Sequence, residues 1–170
     1  SYEWSNMCKN NNVIKFLGII FLFYSLYSTY YIRENTNFYI FLFVILICIL
    51  TDIGGYIFGK IFKGPKLTQI SPNKTYSGSI GGFLFSLVFG LIFLNHFTFD
   101  FLENNSVKTY VGIILISLIS QIGDLIISFF KRKAKIKDTG NILPGHGGLM
   151  DRIDGLIFVM PAIFTITLFY

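Results

Sequence analysis

Long apolar runs broken by short polar stretches dominate the chain. Five stand out: Val13 to Ile32, Phe38 to Phe58, Ser79 to Phe97, Val107 to Phe130 and Gly155 to Tyr170. Each approaches the roughly 20 apolar residues that cross a bilayer's hydrocarbon as a helix. Lipid leaves only helices and closed barrels able to satisfy their backbone groups, and these runs lack the alternation of barrel strands. The pattern therefore predicts an all-α, polytopic integral membrane protein with about five transmembrane helices in a single domain over residues 1–170. The chain opens on Ser1 and not Met, so a processed product or a carboxyl-terminal fragment lacking earlier helices is one expectation. The start, with Asn6, Asn10, Asn11 and Asn12, reads as a solvated lead into the first helix. Tyr24, Tyr27, Tyr30 and Tyr31 read as aromatic anchors at that helix's outer end.

Composition agrees with this pattern. Hydrophobic residues make up 53% of the chain and charged ones 14%, against roughly 45–50% apolar in soluble proteins. The net charge of +5 raises the question of nucleic acid, but the charges segregate by loop. Lys9 and Lys15 flank the start of the first run, Lys60, Lys63, Lys66 and Lys74 follow the second, and Lys131, Arg132, Lys133, Lys135, Lys137 and Arg152 follow the fourth. With five crossings, 12 of the 14 basic residues fall on one side, leaving only Arg33 and Lys108 opposite. By the positive-inside rule that side is cytoplasmic, which places the amino terminus inside and the carboxyl terminus outside. The basic surplus thus marks topology, and no nucleic-acid partner is expected. Cys8 and Cys48 form no disulfide framework and read as free thiols.

Polar residues inside the runs carry the candidate chemistry. The stretch LTDIGGYIFGK puts Asp52 among Thr51, Gly54, Gly55 and Gly59 near the end of the second run. A carboxylate there costs roughly 2.5–3.5 kcal/mol at mid-bilayer and less near the interface, so it is expected to face a cavity or a partner. The following loop clusters Ser71, Pro72, Lys74, Thr75 and Ser77, then Gly78, Gly81 and Gly82 offer a surface for close helix packing. In the fourth run, Ser117, Ser120, Gln121, Asp124 and Ser128 are spaced to line one helical face. A water-filled cavity would explain that stripe, and hydrogen bonding between helices is the plainer alternative.

The segment LPGHGGLMDRIDG, Leu143 to Gly155, is the most polar feature. Asp151 and Asp154 would share one face once a helix has begun. Hard oxygen ligands hold Mg²⁺, which usually takes one or two carboxylates and completes its shell with phosphates and water, while Lys and Arg neutralise phosphate oxygens. Asp124, Asp151 and Asp154 fit such a site. Gly145, Gly147 and Gly148 around His146 permit a turn whose N–H groups converge on an anion, helped by a helix start just beyond. Zinc is not expected, because Cys/His ligand spacing is lacking.

From Ser128 to Asp154 the residues Ser128, Phe130, Lys131, Arg132, Lys137, Asp138, Gly140, Leu143, Pro144, His146, Gly147, Gly148, Leu149, Asp151, Arg152, Ile153 and Asp154 resemble the signature of the phosphatidate cytidylyltransferase family. The resemblance extends back through the ISPNKT loop to about Leu50. It implies an integral membrane enzyme that joins CTP to phosphatidic acid in the lipid bilayer, yielding CDP-diacylglycerol and pyrophosphate, with Mg²⁺ required. Two positions depart from the family pattern: Ser77 stands where Glu is expected, and Ile53 where Thr is expected.

On that reading residues 1–170 form one transmembrane catalytic domain. Asp124 and Asp151 are the expected metal ligands, with Asp154 a further or supporting one and Asp52 a candidate for a second cation. Lys131, Arg132 and Arg152 are expected to grip phosphates, and Lys137, His146, Gly147 and Gly148 to bind the nucleotide. Ser71, Lys74 and Thr75 are expected to hold the lipid phosphate or the nucleotide. The expected location is the bacterial inner (cytoplasmic) membrane with the site facing the cytoplasm, and a homodimer is the assembly entertained. Two rivals remain at this point: a CTP-dependent polyprenol or lipid kinase, and an ion-coupled transporter using Asp52 and Asp124 as relay acids.

Overall fold

The computed structural model of the chain describes residues 2–9, 11–68, 71, 74–96, 107–140 and 147–169. These form seven helices: α1 (Tyr2–Met7), α2 (Asn12–Asn35), α3 (Phe38–Phe62), α4 (Tyr76–His96), α5 (Val107–Lys133), α6 (Met150–Ile153) and α7 (Leu156–Phe169). Helices α2 to α5 are each long and apolar enough to cross a membrane, with mean hydropathy from 1.5 to 2.5, and the chain is an integral membrane protein. Large apolar side chains such as Phe16 and Phe23 on α2 lie on the outside, as lipid contact requires.

Helix limits follow local chemistry. Asn11 starts α2 by accepting from the N–H groups of Val13 and Ile14, both at 3.1 Å. Asn37 does the same for α3 through Tyr39 N at 3.0 Å. Thr75 Oγ1 caps α4 by accepting from Gly78 N at 3.1 Å. Such side-chain caps satisfy donors that a helix start leaves without intrahelical partners.

The fifth apolar run forms the 14-residue α7, about 21 Å long against roughly 30 Å of hydrocarbon, and a break separates it from the single turn α6 that precedes the run. The break falls at Asp154 and Gly155, where Asp154 Oδ1 accepts from Gly155 N at 2.9 Å.

The chain divides into two compact units, residues 36–122 and residues 1–35 with 123–170. In the first, α3 and α4 pack through a seam of glycines. A Cβ at Gly78 would lie 2.7 Å from the Gly55 carbonyl oxygen, and one at Gly54 equally close to that of Gly81. The same unit holds the upper part of the α5 polar stripe. Thr51 Oγ1 donates to Ser117 Oγ at 2.8 Å, Ser79 Oγ donates to Gln121 Oε1, and Gln121 Nε2 donates back to the Ser79 carbonyl at 3.3 Å. Ser117 and Gln121 therefore tie helices together, which is the plainer of the two readings of the stripe.

The second unit packs α1, α2, α6, α7 and the end of α5 around Trp4, Met7, Cys8, Ile127, Met150 and Ile157. Trp4 stands edge-on to Phe130 with centroids 4.8 Å apart, and its Nε1 donates to the Lys15 carbonyl at 3.2 Å. The start of the chain is thus no solvated lead. Trp4, Met7 and Cys8 occupy helical spacing and are buried together with Glu3, so apolar burial outweighs the polarity of the neighbouring asparagines. Cys8 and Cys48 are both free.

Candidate active site

The end of α5 and the residues leading into α6 form a knot of hydrogen bonds centred on Asp151. Its Oδ1 accepts from Lys131 Nζ at 2.8 Å, an ion pair whose side chains are only 13% and 11% exposed. Its Oδ2 accepts from Thr139 N at 2.8 Å and Gly148 N at 3.0 Å, with Thr139 Oγ1 also 3.0 Å away. Burial pushes this carboxyl's pKa up. The Lys131 hydrogen bond, the Thr139 and Gly148 amides and the Lys131 charge together outweigh it, so the group is held below the ordinary carboxylate value. Asp151 is accordingly an anion at neutral pH.

Backbone conformation makes the knot possible. Gly147 has φ +83°, and a Cβ there would sit 3.0 Å from Asp151 Oδ2. A Cβ on Gly148 would run into Thr139 Oγ1 and come within 2.7 Å of Glu3 Oε2. Glycine thus lets the backbone close on two carboxylates at once. Of the expected anion-binding turn, Gly145 and His146 lie outside the described residues, and the N–H groups that follow Gly147 are engaged from within. Gly148 N serves Asp151, while Leu149 N and Met150 N each donate to Glu3 at 2.8 Å.

Asp124 lies on α5 nine residues before its last, Lys133, roughly 14 Å from that end, and Oδ1 accepts from Ser128 Oγ at 3.3 Å. The residue before it, Gly123, meets the start of α7: a Cβ there would be 3.1 Å from the Asp154 carbonyl oxygen and 2.7 Å from Phe158. The backbone at Asp124 is thereby brought beside the turn bearing Asp154. Among the described residues no three His, Cys, Asp or Glu side chains converge as a cage. A Mg²⁺ site built from one or two carboxylates and substrate phosphates needs no such cage, and the oxygen-only donors here suit that hard ion.

Arg132, Lys137 and Arg152 are exposed, and Arg132 Nη1 donates to the Ile136 carbonyl at 3.4 Å. His146 lies outside the described residues. In the other unit, Asp52 is exposed on α3. Ser71 and Lys74 close a turn through Lys74 N and the Ser71 carbonyl at 3.0 Å, and Thr75 is spent on capping α4. Ser77, where the family pattern has Glu, donates to the Lys63 carbonyl at 3.0 Å and ties the start of α4 to the end of α3. Sequence reasoning missed Glu3 and Thr139. The helical spacing of Trp4, Met7 and Cys8 was the signal that Glu3 belonged to a packed helix.

The model of the cytidylyltransferase family matches residues 5–170. Phosphatidate cytidylyltransferase of Staphylococcus haemolyticus is 44% identical over 149 residues, covering 87% of this chain and 54% of the relative. The proteins of the same name from Staphylococcus aureus (strain COL) and Staphylococcus saprophyticus are 46% and 42% identical over 150 and 151 residues, with the same shares covered. The chain spans about half the length of the curated relatives it matches. The family model covers nearly the whole chain, and the chain belongs to the cytidylyltransferase family.

Proposed function

We propose that this chain carries the catalytic elements that join CTP to phosphatidic acid, releasing pyrophosphate and forming CDP-diacylglycerol for phospholipid synthesis. The observation that carries the reading is the Lys131–Asp151 pair, locked by Thr139 and Gly148 at the end of a membrane-length helix in a chain similar to enzymes named for this reaction. One substrate is a lipid and the other a soluble polyanion, so their phosphates meet at the headgroup plane. We place that plane on the cytoplasmic face of a bacterial inner membrane, where the basic loops gather. The relatives' names favour neither the kinase nor the transporter.

In the reaction, a phosphate oxygen of phosphatidic acid attacks the α-phosphorus of CTP. A new P–O bond forms there as the bond to the β-phosphate bridging oxygen breaks, and that electron pair leaves with pyrophosphate. The nucleophile is already anionic, so no covalent intermediate or strong general base is needed, and catalysis rests on orientation and charge neutralisation. Asp124, Asp151 and Asp154 are the residues that would hold Mg²⁺, with Asp52 assigned to a second cation. When bound, the ion neutralises phosphate oxygens. Arg132 and Arg152 supply guanidinium groups suited to bidentate phosphate contacts, and Lys131 orients Asp151. Lys137, His146, Gly147 and Gly148 are assigned to the nucleotide, and Ser71, Lys74 and Thr75 to the lipid phosphate or the nucleotide.

Asp124→Asn tests the assignment. The variant should insert and fold normally yet lose CTP-dependent formation of CDP-lipid by more than 100-fold. Turnover within threefold of the original chain would remove Asp124 from the site.

A further inference from the structure

Glu3 is 5% exposed on a helix of six residues, and the proposed chemistry gives it no part. Both of its oxygens are engaged. Oε1 accepts from Leu149 N, and Oε2 accepts from Met150 N and Thr139 Oγ1, all at 2.8 Å. A buried carboxylate is tolerated only when donors surround it, and every donor here comes from the segments that fix Asp151. The three successive N–H groups of residues 148, 149 and 150 are divided between Asp151 and Glu3. Thr139 joins the two acids directly, since its hydroxyl lies 2.8 Å from Glu3 Oε2 and 3.0 Å from Asp151 Oδ2. A hydroxyl has one proton, so Thr139 can donate to only one of them at a time. What Glu3 accepts therefore decides what Thr139 leaves for Asp151.

We propose that Glu3 is a positioning residue for Asp151: delivered by α1, it fixes the residue 148–150 backbone and the Thr139 hydroxyl, and so sets the orientation of the Asp151 carboxylate. The family match begins at residue 5, so the assignment rests on the structure and not on the motif. Trp4 seals this latch. The adjoining indole packs against Phe130, and a Cβ at Gly18 would overlap it. Gln at position 3 preserves volume but turns one acceptor into a donor, which sets an NH₂ against a backbone N–H.

The test uses Glu3→Gln, Thr139→Val and Thr139→Ser in the full chain, with two readouts. For turnover, which rests on the proposed function, Glu3→Gln and Thr139→Val should each lower kcat at least tenfold and leave KM for phosphatidic acid within twofold. Thr139→Ser should restore kcat to within threefold, and the Glu3→Gln/Thr139→Val double variant should be no slower than the slower single. For amide exchange resolved by residue, Glu3→Gln should accelerate Leu149 and Met150, which bond to Glu3, and also Thr139 and Gly148, which bond to Asp151. A kcat within threefold of the original, or acceleration confined to Leu149 and Met150, overturns the proposal. If the original chain itself forms no CDP-lipid, the functional reading fails, and exchange at Thr139 and Gly148 alone decides the positioning role. If Glu3→Gln does not fold, the two Thr139 variants decide it: loss of kcat in Val with recovery in Ser supports the proposal, and equal behaviour overturns it.

Discussion

The Lys131–Asp151 pair should show an asymmetry when its partners are neutralised separately. In Asp151→Asn the amide oxygen can stay with Thr139 N and Gly148 N, which places the NH₂ against the Lys131 ammonium, an ion left without the 2.8 Å acceptor it has now. Removing one partner of a buried pair costs roughly 3–5 kcal/mol; the residual exposure of both side chains, 13% and 11%, lowers this to about 2–4 kcal/mol. In Lys131→Met the carboxylate keeps its Thr139 and Gly148 donors, so the loss approaches that of one charge-assisted bond, about 1.5–3 kcal/mol. The double variant leaves no uncompensated ammonium and should be at least as stable as Asp151→Asn alone. Thermal unfolding in detergent, followed through the emission of Trp4, the chain's single tryptophan, measures all three. An Asp151→Asn variant more stable than Lys131→Met, or a double variant that sums the two losses, would refute the pairing argument.

Gly148→Ala should destabilise the chain by about 1–3 kcal/mol through overpacking, because the new methyl meets Thr139 Oγ1 and Glu3 Oε2; the same unfolding assay reads it, and an unchanged midpoint would mean that the turn is looser than described. Stability should also vary with pH in one direction at the acid end. Asp151 has a lowered folded pKa, so its contribution is fully present above the unfolded carboxylate value of about 3.9 and is lost as pH falls through the folded value. Between pH 7 and 5 the difference in stability between the original chain and Asp151→Asn should stay constant, then shrink below about pH 4; a difference that already shrinks at pH 6 would contradict this.

The membrane helices were legible because long apolar runs are the strongest one-dimensional signal a chain carries, and α2 to α5 begin and end within four residues of the expected limits. The last run likewise forms α7, which starts one residue inside the expected limit, but apolarity alone shows neither the single turn α6 before it nor the break at Asp154 and Gly155. The stripe on α5 showed which residues share a face but not what they meet, and Ser117 and Gln121 find their partners on α3 and α4, more than 40 positions away. Asp151 was legible as chemistry. Its partners were not, since Thr139 lies 12 positions away and Lys131 20, and the contact of Glu3 with Met150 closes over 147 positions. Asparagine-rich surroundings hid α1, whose burial depends on a groove made by segments distant in sequence.

CTP labelled separately at the α- and γ-phosphates decides whether the chain transfers a cytidylyl group. Purified chain, phosphatidic acid and Mg²⁺ should move the α-label into the lipid phase and the γ-label into pyrophosphate in equal amounts. γ-label appearing in the lipid with release of CDP, or a folded preparation that moves neither label, would contradict it.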